Sequence, residues 1–182
     1  RNIIFFGEDW ERFPSTTQHI ARIFLEENRI LWIGSMGHRK PTFTLQDGKR
    51  LIEKFKNIFK GNDIKDESEV IKVHPFVIPL HDLKIVRKIN ARSIKKSIKK
   101  AIIENNFTKP IIISSSPLIG NILGSFNETS SHYFCLDDYS QFDGAFDSMI
   151  DLENELLEKV SCSFAVSDTL VKTRKPNTGF SY

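Results

Sequence analysis

Five short apolar runs constrain this chain more than any other feature: NIIFF (2–6), RILWI (29–33), PIIIS (110–114), HYFCL (132–136) and CSFAVS (162–167). They do not alternate polar with apolar, so each predicts a strand covered on both faces, as in a parallel sheet. A parallel neighbour cannot be reached by a hairpin, and the intervening stretches carry helical signals. Ser15, Thr16 and Thr17 offer N-caps for a helix with Ile20, Ile23 and Phe24 inward. Leu51 to Phe59 predicts an amphipathic helix with Leu51, Ile52, Phe55, Ile58 and Phe59 inward, and 62–68 a charged loop-like insert. Glu69 to Leu80 predicts a strand and then a proline-punctuated extended segment. Helices follow over Ser93–Asn105, Pro117–Phe126, Phe146–Lys159 and Asp168–Lys175, and the tail NTGFSY can begin one more strand. Strands alternating with helices predict an α/β fold: an open, mostly parallel, Rossmann-like sheet with helices on both faces.

The 182 residues suffice for one well-buried domain. A net charge of +3 and a pI near 8.8 fall short of a nucleic-acid-binding extreme. No apolar run reaches the roughly 18 residues needed to cross a bilayer. The two cysteines, Cys135 and Cys162, sit in apolar runs and read as reduced, buried thiols of a cytoplasmic protein. Several enzyme classes drop out by motif: there is no GxGxxG after the first strand, no GxxxxGK[ST], no GxSxG, no CxxC and no HExxH.

In open parallel sheets ligands bind beyond the carboxyl ends of the strands, so those ends supply the suspects. After the first strand come Glu8, Asp9 and Trp10; after the second, Gly37, His38 and Arg39; after PIIIS, Ser115; after HYFCL, Asp137, Asp138 and Tyr139. Two adjacent carboxylates cannot both be buried and ionised cheaply, so at least one should meet solvent, a cation or a hydroxyl donor. Sugar hydroxyls are such donors. The plainer alternative is a helix-capping or turn aspartate, since Ser140, Asp143 and Gly144 are turn residues. Gly37 permits close backbone approach, and Arg39 offers a planar fork for phosphate or carboxylate, or is simply solvated. Trp10 can stack on a pyranose ring or pack on the domain rim. Ser115 can take a hydroxyl or phosphate, or cap. His19 and His74 suit structural roles better than catalytic ones.

The stretch SIKKSIKKAIIENN is separate. Ile94, Ile98, Ala101 and Ile102 share one face, while Lys95, Lys96, Lys99 and Lys100 take the other and add to Arg87, Lys88 and Arg92. An anionic membrane surface is one partner that Arg87 to Lys100 suits, at the inner face of the cell membrane; a solvated helix face is the ordinary alternative. Nucleic acid fits poorly, because no aromatic residues interleave with the lysines.

Taken in order, ILWIGSMGHRKP, the segment Val86-Arg87-Lys88-Ile89-Asn90, KPIIISSSP, and YFCLDDYSQFDG followed by DLENELLEKVSCSFAVSDTL form a series that resembles the N-terminal lobe of bacterial GT-B glycosyltransferases of the surface- or capsular-polysaccharide type. The resemblance implies that residues 1–182 form a single acceptor-side lobe, and that a C-terminal lobe absent from this chain binds most of a nucleotide-sugar co-substrate. It implies a glycan or lipid-linked acceptor, no cofactor and no metal, with Asp138 and Asp137 as catalytic candidates. Glu8, Asp9, Trp10, Gly37, His38, Arg39, Ser115 and Tyr139 would then bind substrate. One departure is the first loop: many relatives are Gly-rich where this chain has Gly7-Glu8-Asp9-Trp10. Two rivals remain, a carbohydrate- or nucleotide-binding module without chemistry, and a receiver-like signalling domain suggested by the acidic end of FFGED. The transferase reading requires Glu8, Arg39 and Asp138 to face one hollow.

Overall fold

In the computed structural model, which describes residues 1–10, 15–34, 36–37, 70–176 and 180–181, all five apolar runs lie in one sheet. The strands are β1 Asn2–Phe6, β2 Arg29–Ile33, β3 Ile71–Val73, β4 Ile111–Ser114, β5 Ser130–Cys135, β6 Cys162–Ala165 and β7 Phe180–Ser181. Their order is β3-β2-β1-β4-β5-β6-β7, and every neighbouring pair is parallel. The chain starts mid-sheet, works outward to β3, returns to the other side of β1 and continues outward. Order therefore reverses between β1 and β4, the position at which doubly wound sheets open a crevice. This order differs from the β2-β1-β3-β4-β5 order of receiver-type sheets and removes the receiver-like alternative.

Side-chain alternation divides each strand between two layers. Ile4, Phe6, Leu31, Ile33, Ile112, Tyr133 and Cys135 face the larger core. There they meet α2 (Lys84–Glu104), the 3-10 segment Pro117–Ile122, α3 (Met149–Leu157) and α4 (Asp168–Thr173). Ile3, Phe5, Ile30, Trp32 and Ile113 face a smaller core closed by α1 (Thr16–Leu25). Helices thus cover both faces. Two glycines set how closely the layers approach. A Cβ on Gly7 would stand 2.5 Å from the Trp32 ring, and one on Gly120 would stand 2.8 Å from the backbone nitrogen of Leu156.

Several local expectations shift for reasons visible in the packing. Ser15 caps α1 as anticipated, accepting from the Gln18 backbone N–H. Ile20 and Phe24 pack partly buried against the smaller core as expected, but the fully buried residues of α1 are Thr17, Gln18 and Ala21, and Ile23 is 65% exposed. Polar contacts to Glu8 draw the first turn inward and rotate Ile23 outward. Helix α2 begins at Lys84, well before the expected Ser93. The apolar stripe hides this early part, because Ile85 and Ile89 are exposed. What anchors it is Val86, buried, and Asn90, whose side chain accepts from Ile78 N at 2.9 Å and donates to Ile78 O at 2.8 Å. The segment after Pro117 is a 3-10 turn ending at Ile122 rather than a helix reaching Phe126. Gly124, at φ +79°, turns the chain out of it. The last helix stops at Thr173 and the tail does contribute a strand. His19 is exposed on α1. The expected helix over Leu51–Phe59 and the insert at 62–68 lie outside the described residues.

Both cysteines are free and buried. Burial, and then the charge of Glu153, push the Cys135 thiol up to about 11, which makes it unreactive near neutral pH.

Candidate functional site

The carboxyl ends of the strands form a rim, and the crevice side of that rim begins with Glu8. Gly7 carries the chain off β1 beside Trp32, whose indole N–H donates to the Glu8 carbonyl at 2.8 Å. The Glu8 carboxylate then turns to the start of α1. It accepts from the Ser15 hydroxyl, from the Thr17 hydroxyl at 2.6 and 2.7 Å, and from the Gln18 amide at 3.5 Å. Among the described residues, its donors are all neutral groups. Asp9 follows, and the tips of three strands meet there: a Cβ on Gly34 would stand 3.0 Å from both Asp9 Oδ1 and His74 Nδ1. Trp10 lies edge-on to Trp32 at 4.7 Å, with the Arg22 guanidinium 5.4 Å over its ring. That is the packing arrangement, and it leaves Trp10 half-buried at the rim.

Past the reversal, Ser115 closes the gap between β4 and β1. Its backbone N–H donates to the Phe6 carbonyl at 3.0 Å and its hydroxyl to the same oxygen at 3.3 Å, while the side chain is buried. Ser114 and Ser116 are buried too, with the Ser114 hydroxyl donating to the Ser116 carbonyl. This serine tip is occupied with backbone.

The end of β5 separates the two adjacent aspartates. Asp138 caps the short 3-10 segment Tyr139–Gln141. Its Oδ1 accepts from the Ser140 N–H at 3.2 Å, the Ser140 hydroxyl at 2.5 Å and the Arg174 guanidinium at 2.9 Å. The Ser140 hydroxyl, with Arg174 adding to it against the opposing effect of burial, holds the Asp138 carboxyl below the usual aspartate range. Asp137 is exposed. Tyr139 turns inward and is buried. Burial, then the charges of Asp137 and Glu8, push its hydroxyl well above the usual phenol range.

Behind Asp138 stands a network that the strand-end reasoning missed. Arg174, just after α4, donates its Nε to Glu153 Oε2 at 2.9 Å while Nη2 reaches Asp138. Glu153 on α3, only 3% exposed in its side chain, also accepts from the Tyr133 hydroxyl at 2.7 Å. Burial opposes the Arg174 charge, yet Glu153 and Asp138 together raise its pKa above the ordinary value. The signal in the sequence was Glu153 itself, an acid one helical turn from Met149 and Leu157 on the apolar stripe of α3. A buried carboxylate demands a cation, though nothing local said which one.

Of the ten nominated residues, Glu8, Asp9, Trp10, Ser115, Asp137, Asp138 and Tyr139 stand at the carboxyl ends of β1, β4 and β5. Gly37, at φ +68° with Pro79 3.3 Å from where its Cβ would be, lies beyond β2. His38 and Arg39 lie outside the described residues. Of the expected trio, the Glu8 carboxylate turns to α1, on the smaller-core face, while Asp138 turns to Ser140 and to Arg174 beside α4, on the larger-core face.

Fold and rim together define an open, doubly wound α/β domain with carboxylates at the carboxyl ends of β1 and β5. No family model, curated protein or solved structure matches the chain.

Proposed function

We propose that this domain is the acceptor-side lobe of a nucleotide-sugar-dependent glycosyltransferase acting in surface polysaccharide synthesis, with the donor bound mainly by a further lobe outside these residues. The observation that carries the reading is the pairing of the order reversal between β1 and β4 with carboxylates on both of its sides, Glu8 after β1 and Asp137 after β5. A crevice of this kind suits a polyhydroxylated acceptor, because carboxylates accept strongly from hydroxyl groups. The ordered motif resemblance supports the same reading. Fold alone would not, since doubly wound sheets host many chemistries.

In this reading the two aspartates divide the work. Asp138, tied to Arg174 and Ser140, holds the β5 loop in position. Asp137, exposed next to it, accepts the proton of the acceptor hydroxyl as that oxygen bonds to the sugar's anomeric carbon and the donor's sugar–phosphate bond breaks, the nucleotide leaving with the bonding electrons; Glu8 lines the approach and Tyr139 backs it. Closure of the two lobes excludes water and limits donor hydrolysis. A cytoplasmic setting goes with the use of nucleotide-sugars.

The test is sugar transfer by the full-length protein from a panel of nucleotide-sugars to a glycan acceptor. Asp137→Asn should lower kcat about a hundredfold or more without shifting the melting temperature. The 182-residue chain alone should turn over nothing. Transfer by the chain alone, or full activity in Asp137→Asn, would remove the proposal. One observation favours a second reading, a glycan- or nucleotide-binding module without chemistry: the Glu8 and Asp138 carboxylates both have internal donors already. Saturable glycan binding by a full-length protein that transfers no sugar would select it.

A further inference from the structure

Helix α2 carries a surface that the crevice does not use. Its 21 residues include eight lysines and arginines against one acid, Glu104. The buried side is Val86, Asn90, Ile94, Ile98 and Ala101. Directly opposite runs a row at helical spacing: Ile85, Ile89, Arg92, Lys96, Lys99, Ile103. Ile85 is 70% exposed, Ile89 42% and Ile103 75%, and Leu83, at the N-cap, is 51% exposed. Four of the seven large apolar side chains exposed among the described residues therefore lie on this one element. Scattered exposed leucines need no explanation, but isoleucines aligned with cations on a helix turned away from the core do.

We propose that α2 lies flat on an anionic lipid surface, with Leu83, Ile85 and Ile89 dipping into the headgroup boundary and the lysines above the phosphates. The apolar face of α2 is turned into the core, so the contact would be a peripheral one, made by exposed isoleucine anchors and the cations that share their row, on an element with no membrane-spanning character. A protein partner fits less well. Protein interfaces place apolar side chains at the centre and charges at the rim, whereas here isoleucines stand at the two ends and cations between them. A nucleic acid fits less well again, since no aromatic side chain stands in the row for bases to stack on.

Geometry ties this surface to the crevice. Helix α2 follows β3, and its first turns sit at the carboxyl rim: Asn90 is bonded to Ile78, and His81, just before the helix, contacts the Met36 carbonyl beyond β2 at 3.0 Å. The apolar anchors are thus at the end of the helix nearest the strand tips, and the helix is about 30 Å long. If the crevice takes a lipid-linked acceptor, this orientation brings the crevice to the membrane that holds it. Lipid binding itself does not depend on the transferase reading.

The experiment is flotation of the 182-residue chain with phosphatidylcholine vesicles, with and without about one third phosphatidylglycerol. Binding is expected to the anionic vesicles only, and to weaken in high salt. Lys96→Ala with Lys99→Ala should lower partitioning about 25-fold, since each cation near the surface contributes about fivefold. Ile85→Ser with Ile89→Ser, which leaves the charge intact, should lower it severalfold. Both pairs are exposed, and an unchanged circular dichroism melt confirms that the fold is kept. No binding to anionic vesicles overturns the proposal. So does binding that ignores Ile85→Ser with Ile89→Ser, or tighter binding to duplex DNA or RNA than to the vesicles. No donor or acceptor is present in this assay, so its failure leaves the transferase proposal standing, and failure of the transfer assay leaves this one.

Discussion

Glu8 and Glu153 are both acids near the tips of parallel strands, and both are fully engaged, yet their surroundings differ in kind. Glu8 is held by hydroxyls and an amide from the first turn of the helix that follows it, within ten residues in sequence. Glu153 is held by a guanidinium 21 residues away and by a buried phenol. Neutral hydroxyl donors are readily exchanged for those of water or a sugar. A buried carboxylate facing arginine is not, because separating the pair leaves an uncompensated charge in the core. The comparison shows neutral, exchangeable donors on the Glu8 side of the rim, which is the side the proposed function gives to a ligand. The Arg174 side is the frame that holds Asp137 and Tyr139 in place.

The largest effect expected from this contrast is that of Arg174→Ala. It strips the counter-charge from Glu153 and the clamp from Asp138, and should cost about 3 kcal/mol in urea unfolding. A cost under about 1 kcal/mol would put Arg174 with ordinary surface ion pairs and break the comparison. Glu153→Gln should cost about 2 kcal/mol, since the amide still meets the Tyr133 hydroxyl but no longer neutralises the guanidinium. Glu8→Gln should cost about 1 kcal/mol or less, because rotatable hydroxyls on Ser15 and Thr17 can accept from the new amide. If Glu8→Gln were the most damaging of the three, the rim would be a structural device throughout and its ligand-facing role would fall.

The smallest effect is a pH dependence. The Asp138 carboxyl sits below its ordinary value of 3.8, chiefly through the Ser140 hydroxyl. Its contribution to stability is therefore complete above that value and is lost as pH falls through the lower folded value. Ser140→Ala should raise the folded value toward 3.8 and narrow this acid window, read by carboxyl NMR titration of Asp138 beside an acid-unfolding curve. An unshifted titration would show that Arg174 and the Ser140 backbone N–H, rather than the hydroxyl, set the carboxyl's acidity.

Much of this architecture is legible along the chain. Strands β1 and β2 occupy the residues that their apolar runs predict, and Ser15 and Ser167 cap the helices they precede. Such features depend on a residue and its neighbours within one turn or one strand. The misreadings share a cause. The early half of α2 lacks a clean apolar stripe, because one of its two anchors is an asparagine paired with the backbone of Ile78 and its isoleucines face outward. The inward face of α1 is set by Glu8, which precedes the helix. Neither arrangement is visible to a pattern that counts only apolar periodicity.

The sequence by itself determined that buried strands alternate with helices, that the sheet is parallel, and that acids cluster at the strand ends. These follow from side-chain sterics, burial and capping, which act over a few residues. Only the tertiary structure decided which of the two aspartates is held. That choice depends on Arg174, 36 residues beyond Asp138, being carried by α4 to the same rim as Glu153. Coulomb attraction and desolvation act through space, so the partner of a buried charge is set by the fold as a whole.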